Sequence, residues 1–227
     1  WSPCPSLMRQ GDHRVLGFAK RITARCGRGI AMRKLILVRH SLPRMVTGIP
    51  ASQWHLSAEG RRRCTALAGR LSAYGLGAVV SSQESKAVET GQMVSRSLGL
   101  PFETAPDLHE HERGVVTDLG SREGFEAQVA YFFEHPGRLV LGHETADEAH
   151  ARFARAIGSV IEGHPAANIA VVTHGTVMAL FIARAAGLDP TTFWKSLALP
   201  CFAVLSLPDL GLLEMVTDVE AAADLHS

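Results

Sequence analysis

Three short apolar runs in this chain each stop abruptly at reactive polar residues, and amphipathic segments separate them. Leu35-Ile36-Leu37-Val38 leads into Arg39-His40-Ser41, Ala78-Val79-Val80 into Ser81-Ser82, and Ile169-Ala170-Val171-Val172 into Thr173-His174-Gly175. Unbroken runs of Val, Ile and Leu mark strands buried on both faces. Between them lie helical patterns. Residues 57–73 begin with Ser57 as N-cap and Glu59 at the positive helix end, and put Cys64, Leu67, Ala68 and Leu71 on one face. Residues 84–98 align Ala87, Gly91, Val94 and Leu98, and residues 121–134 gather Phe125, Val129, Phe132 and Phe133. Residues 146–162 follow the capping box Thr145-Ala146-Asp147-Glu148. A helix with Val177, Leu180 and Phe181 inward follows the last run. Segments 201–207 and 212–216, split by Pro208-Asp209-Leu210-Gly211, read as a hairpin or edge pair, and 101–120 reads as a loop rich in His and Glu. This alternation predicts an α/β protein: a three-layer α/β/α sandwich around a mostly parallel sheet.

Composition fits that class but hides an asymmetry. The chain has 227 residues, 46% hydrophobic, with a formal charge of +1. Residues 1–31 carry Arg9, Arg14, Lys20, Arg21, Arg25 and Arg28 against Asp12, a net of +5, which leaves 17 basic and 21 acidic residues, a net of −4, in 32–227. The basic charges are scattered and lack interleaved aromatics, so no nucleic-acid partner is expected. The segment has no continuous apolar core for a signal peptide, and no run is long enough to span a membrane. The expectation is an unstructured basic extension over 1–31, upstream of a start at Met32, and one domain over 32–227. Cys4, Cys26, Cys64 and Cys201 form no C-x-x-C pair, which points to a reducing cytoplasm rather than a disulfide framework or zinc site.

In an open α/β sheet, ligands bind beyond the carboxyl ends of the strands. If these strands are parallel neighbours, His40 and His174 meet in one crevice, and the helix after Gly175 aims its amides and dipole at an anion there. Arg39 adds a planar donor fork suited to phosphate. One imidazole can attack phosphorus while the other donates to its oxygens. His109 and His111 have no third ligand at fixed spacing, and His143-Glu144 lacks the second His of a zincin, so no metal is expected.

These residues resemble the histidine phosphatase superfamily, in its phosphoglycerate-mutase-like branch. The resemblance rests on Leu37-Val38-Arg39-His40, Leu56-Ser57-Ala58-Glu59-Gly60, Ser82 with Lys86-Ala87 and Glu89-Thr90, Leu108-His109-Glu110 with Gly114, Glu144-Thr145, and Val172-Thr173-His174-Gly175, over about 33–207. It implies His40 as the nucleophile that becomes phosphohistidine, and Glu110 as general acid and then base, with Glu112 a second candidate. It implies Arg39, Ser41, Lys86, His174 and Gly175 as the phosphate-binding set, and a small phosphomonoester or phosphate as ligand, with neither metal nor cofactor.

The chain departs from the pattern at Ser41, where the family has Gly, at Pro43 and Val46, where it has Thr and Asn, and at Lys86, where it has Arg. A lysine keeps the charge but not the bidentate fork. The expected activity is a metal-independent phosphomonoester hydrolase. A phospholigand-binding homologue without turnover and a phosphoglycerate mutase are the alternatives, and the sequence leaves a homodimer open. Trp54 and His55 either wall the pocket or pack. Phe132-Phe133 in the 101–140 region point to a partly apolar leaving group.

Overall fold

A computed structural model describes residues 32–113 and 121–220; the basic segment 1–31 and Gly114 lie outside these. Six strands, β1 (Lys34–Arg39), β2 (Leu76–Ser81), β3 (Phe102–Thr104), β4 (Asn168–Thr173), β5 (Cys201–Ser206) and β6 (Leu212–Val216), form one sheet in the order β3-β2-β4-β1-β5-β6. The four strands from β3 to β1 run parallel, and β5 and β6 add antiparallel pairs at one edge.

Side chains alternate across a strand, and β1 shows this on both faces at once. Leu35 and Leu37 join Val171, Ala203, Phe132, Phe153 and Val177 in one apolar cluster. Ile36 and Val38 join Val172, Phe202, Leu67, Leu71 and Val94 in the other. Helices α1 (Ala58–Leu71) and α2 (Ser85–Leu98) cover the second face. Helices α3 (Arg122–Glu134), α4 (Ala146–Gly163) and α5 (Gly175–Ala186) cover the first, with the short α6 (Pro190–Ser196) beside them. The helix boundaries follow their caps: Ser57 accepts from the Gly60 amide, and Thr145 and Glu148 close the predicted capping box.

The order of elements creates a switch point. From β1 and β2 the chain turns onto the α1/α2 face, whereas from β4, between them, it turns onto the opposite face through α5. A crevice opens at the carboxyl ends where neighbouring connections diverge. Two elements were not foreseen. β3 interrupts the expected loop, and α6 has no buried side chain to leave an apolar pattern.

Candidate active site

The β1–β4 register pairs Val38 with Val172 and Arg39 with Thr173, which delivers His40 and His174 side by side. The His40 amide extends the ladder by donating to the Thr173 carbonyl at 2.9 Å. The two imidazoles stand 5.2 Å apart, edge to face at 60°.

His40 Nδ1 lies 2.7 Å from the Ser41 carbonyl oxygen. A carbonyl only accepts, so Nδ1 carries the proton and Nε2 keeps its lone pair. Burial, reinforced by His174 and Lys86, holds the His40 pKa well below 6.5. Burial and Lys86 do the same to His174, against the pull of Glu110. Both rings are therefore neutral at pH 7. His174 Nε2 bonds the Ser82 hydroxyl at 2.9 Å.

The guanidinium of Arg39 is clamped at one corner, where Nη1 donates to the Leu197 carbonyl at 2.5 Å. Its buried Nε has no partner among the described residues. It lies flat on the start of α5: a Cβ on Gly175 would stand 2.9 Å from Arg39 Nε and 3.0 Å from Cζ. Gly175 is thus required by the close approach of Arg39.

His174, the N-cap of α5, makes no side-chain cap bond. Glu110 caps the helix instead. Its carboxylate accepts from the Thr176 amide at 3.1 and 3.2 Å, from Val177 at 3.2 Å and from His111 at 2.9 Å. Burial alone would raise its pKa. Arg113, at 3.5 Å, with the amides of His111 and Thr176, more than reverses that and holds the carboxyl well below the usual carboxylate range. Glu112 is elsewhere: its side chain is exposed and pairs with His109 at 3.2 Å.

Lys86 is buried, as a site residue would be, but its ammonium is occupied. It is ion-paired with Glu84 and donates to the Ala51 carbonyl at 2.7 Å. Glu84 also accepts from the Glu110 amide at 2.9 Å and lies 3.5 Å from His174 Nε2. Ser41 departs from expectation. Its hydroxyl donates to the Gly60 carbonyl at 2.7 Å and its amide to Thr90 Oγ1 at 3.0 Å, so its side chain braces α1, and its backbone α2, instead of pointing to a phosphate. Gly60 permits this closeness, since a Cβ there would lie 2.1 Å from the Leu42 oxygen.

Three other expectations resolve. The Trp54 indole donates to Val46 and Ile49 carbonyls, which folds its own loop, and His55 pairs with Glu89. Phe132 and Phe133 are core residues, so they say nothing about a leaving group. Three charged residues of the site went unremarked in the sequence: Glu84, Arg113 and Arg152. Arg152, on α4, grips Glu144 at 2.6 and 3.1 Å and donates to the carbonyls of Asp107, His109 and Glu110. It thereby ties down the loop that carries Glu110.

The sheet and its crevice define a three-layer α/β protein with paired imidazoles, an arginine and a glutamate at the switch point. The chain belongs to the histidine phosphatase superfamily (branch 1), whose family model matches residues 35–208. Solved structures share its fold. A protein described as mycobacterial hydrolase 2 superposes with a TM-score of 0.67 at 18% identity, covering 85% of this chain and 94% of its own. The mycobacterial glucosyl-3-phosphoglycerate phosphatase gives 0.63 at 19%, covering 77% and 90%. The α-ribazole phosphatase of Shigella flexneri gives 0.62 at 21%, covering 82% and 96%. Among curated proteins, none matches the chain in sequence.

Proposed function

We propose that this protein is a phosphomonoesterase that works through a phosphohistidine on His40, without a metal ion. The observation that carries the reading is the Nδ1–H of His40 donating to Ser41, which leaves a neutral ring with its lone pair on Nε2. That is the reactive form of an imidazole nucleophile.

In the first step Nε2 attacks phosphorus, a P–N bond forms and the bond from phosphorus to the ester oxygen breaks. Glu110, protonated, gives its proton to the leaving oxygen. Water then attacks the phosphohistidine, Glu110 takes a proton from it, and the P–N bond breaks to release phosphate and free His40. Arg39 and the α5 amides meet the phosphoryl charge, the work a metal ion does in other phosphatases. Glu110 is ionised while it caps α5. An arriving phosphate dianion competes for the same amides and repels the carboxylate, which raises its pKa and charges it with the proton needed for the first step.

Membership of the superfamily and the phosphatases among its structural relatives support hydrolysis of a small phosphomonoester. No helix among the described residues is long and apolar enough to cross a membrane. The free, buried thiols of Cys64 and Cys201 support placing the enzyme in a reducing cytoplasm. Purified protein should release phosphate from p-nitrophenyl phosphate in EDTA and form an acid-labile phosphoprotein. His40→Ala should abolish both, and full activity in that variant overturns the assignment.

One observation favours a second reading, a phospholigand-binding domain without turnover: the Glu84 carboxylate neutralises Lys86 inside the crevice. Saturable tungstate binding with no phosphoprotein formed from a generic phosphodonor would establish it.

A further inference from the structure

The cationic side chains Arg39, Lys86 and Arg113, which lie around the paired histidines and Glu110, are not equivalent. Lys86 stands where the resemblance expects a phosphate-gripping arginine, yet its ammonium is committed to Glu84 and to the Ala51 carbonyl. Arg39 offers one fork. The third cation, Arg113, follows Glu110 by three residues and reaches the Thr176 hydroxyl in the first turn of α5.

Arg113 is held in a way that fixes its plane. Its Cζ lies 4.9 Å from the centre of the Phe125 ring, and Phe125 is braced edge to face by Trp194 of α6 at 5.9 Å. One edge donates through Nη2 to the Thr176 hydroxyl at 2.5 Å and approaches Glu110 at 3.5 Å. Its buried Nε finds no partner among the described residues. A guanidinium stacked on an aromatic ring, with donors left over, is organised to take an anion.

An anion is in fact there. The Glu110 carboxylate sits among the Thr176 amide, the Val177 amide and Arg113, at 3.1 to 3.5 Å. It belongs to the protein, but its two oxygens mark where those donors converge. We propose that Arg113 is the second phosphoryl-gripping guanidinium of this enzyme, in place of the residue at position 86. When Glu110 takes up its proton and leaves the α5 amides, Arg113 and those amides pass to the phosphoryl oxygens alongside Arg39. This rests on the phosphatase reading above and assigns the phosphate contacts within it.

The test measures inhibition by tungstate, a phosphate mimic, against p-nitrophenyl phosphate hydrolysis. Arg113→Met should raise the tungstate inhibition constant about 10- to 100-fold, the range for loss of a charged hydrogen-bonding partner, with a matching fall in kcat/KM. Arg113→Lys, which keeps charge without the fork, should fall between. If Arg113 only lowers the pKa of Glu110, Arg113→Met shifts the pH profile of kcat while the inhibition constant stays within about twofold; that result overturns the proposal. A measurement on unaltered protein guards against misfolded variants. Tungstate should protect Arg113, together with Arg39, from phenylglyoxal, read peptide by peptide in a mass spectrometer, and unprotected modification of Arg113 also overturns it. If the unaltered protein has no phosphatase activity, the functional reading fails, while the protection experiment still reports on Arg113.

Discussion

The imidazoles of His40 and His174 lie 5.2 Å apart, both buried, and neither holds a proton beyond its neutral complement at pH 7. Burial leads both shifts, and each ring meets a cation, Lys86, that opposes its protonation. Stability should depend on pH in a defined window. As pH falls below 6.5, the ordinary value, the unfolded chain takes up protons that these folded rings refuse. Stability is therefore full above that pH and declines below it, by about 1.4 kcal/mol per pH unit for each ring, until the lowered folded pKa values are reached. Glu110 adds its own loss lower down, since its stabilisation is present above 4.5 and disappears as pH falls towards its depressed pKa. Calorimetry from pH 7.5 to 5 should show a falling Tm, and His174→Gln should flatten the curve. A Tm unchanged across that range contradicts the neutral pair.

Glu110 has two tasks, capping α5 at rest and protonating the leaving oxygen in turnover. Glu110→Gln separates them, because the amide oxygen still accepts from Thr176 and Val177 but the proton is lost. The variant should lose about 10²- to 10⁴-fold in kcat/KM, which reports phosphoenzyme formation alone, on alkyl phosphates, whose leaving oxygens need a general acid. It should lose far less on p-nitrophenyl phosphate, which leaves as a stable anion. It should also bind tungstate more tightly, since the competing negative charge is gone. Equal losses on both ester types contradict the acid role.

The sequence announced the sheet because a strand buried on both faces leaves an unbroken apolar run. β1 and β4 are such strands, and their parallel adjacency turned two separate histidines into a pair. β3 was silent because it is three residues long and pairs on one side only. In the site, residues at strand ends and in the Leu108–Glu110 motif were legible. Glu84, Arg113 and Arg152 were not, because a charge in a sequence reads as a solvated one unless its partner is visible. The contacts that carry them into the site reach across the fold, from Glu84 to the Glu110 amide 26 residues away, from Arg113 to Thr176 63 away and from Arg152 to the Asp107 carbonyl 45 away. The Ser41 hydroxyl was misread for the same reason: its acceptor, Gly60, belongs to α1.

Gly175 is required by contact, and Gly175→Ala isolates that contact. The new Cβ would press on Arg39 at 2.9 to 3.1 Å along Nε, Cζ and Nη2, so the guanidinium must move by some tenths of an ångström. Displacing a positioning group on that scale costs about 10- to 100-fold in kcat/KM. The fold should tolerate the change, because alanine favours the helix by about 1 kcal/mol where the backbone is helical. Activity should fall with a Tm within a few degrees of the parent. A variant with undiminished kcat/KM would show that Arg39 does not need its place on α5.

The loop that carries Glu110 has its own anchor, the Glu144–Arg152 pair. Both side chains are about nine-tenths enclosed, with 11% of each exposed, so little solvent screens them. Burial tends to raise the Glu144 pKa, but Arg152 and the Glu112 amide lower it overall, and the carboxylate is ionised. Arg152→Leu strands that charge and frees three carbonyls of the 107–110 loop at once. Breaking one partner of a buried pair costs about 3–5 kcal/mol, and urea denaturation should show a loss of that order. Glu144→Gln/Arg152→Leu removes the charge as well and should recover part of the stability, because no lone carboxylate is left behind. Neither variant touches His40, so phosphoprotein formation from p-nitrophenyl phosphate should persist. Turnover of alkyl phosphates should fall more steeply, since Glu110 no longer sits where its proton is needed. If alkyl and aryl phosphates decline in parallel while stability drops, the anchor serves the fold and has no part in positioning Glu110.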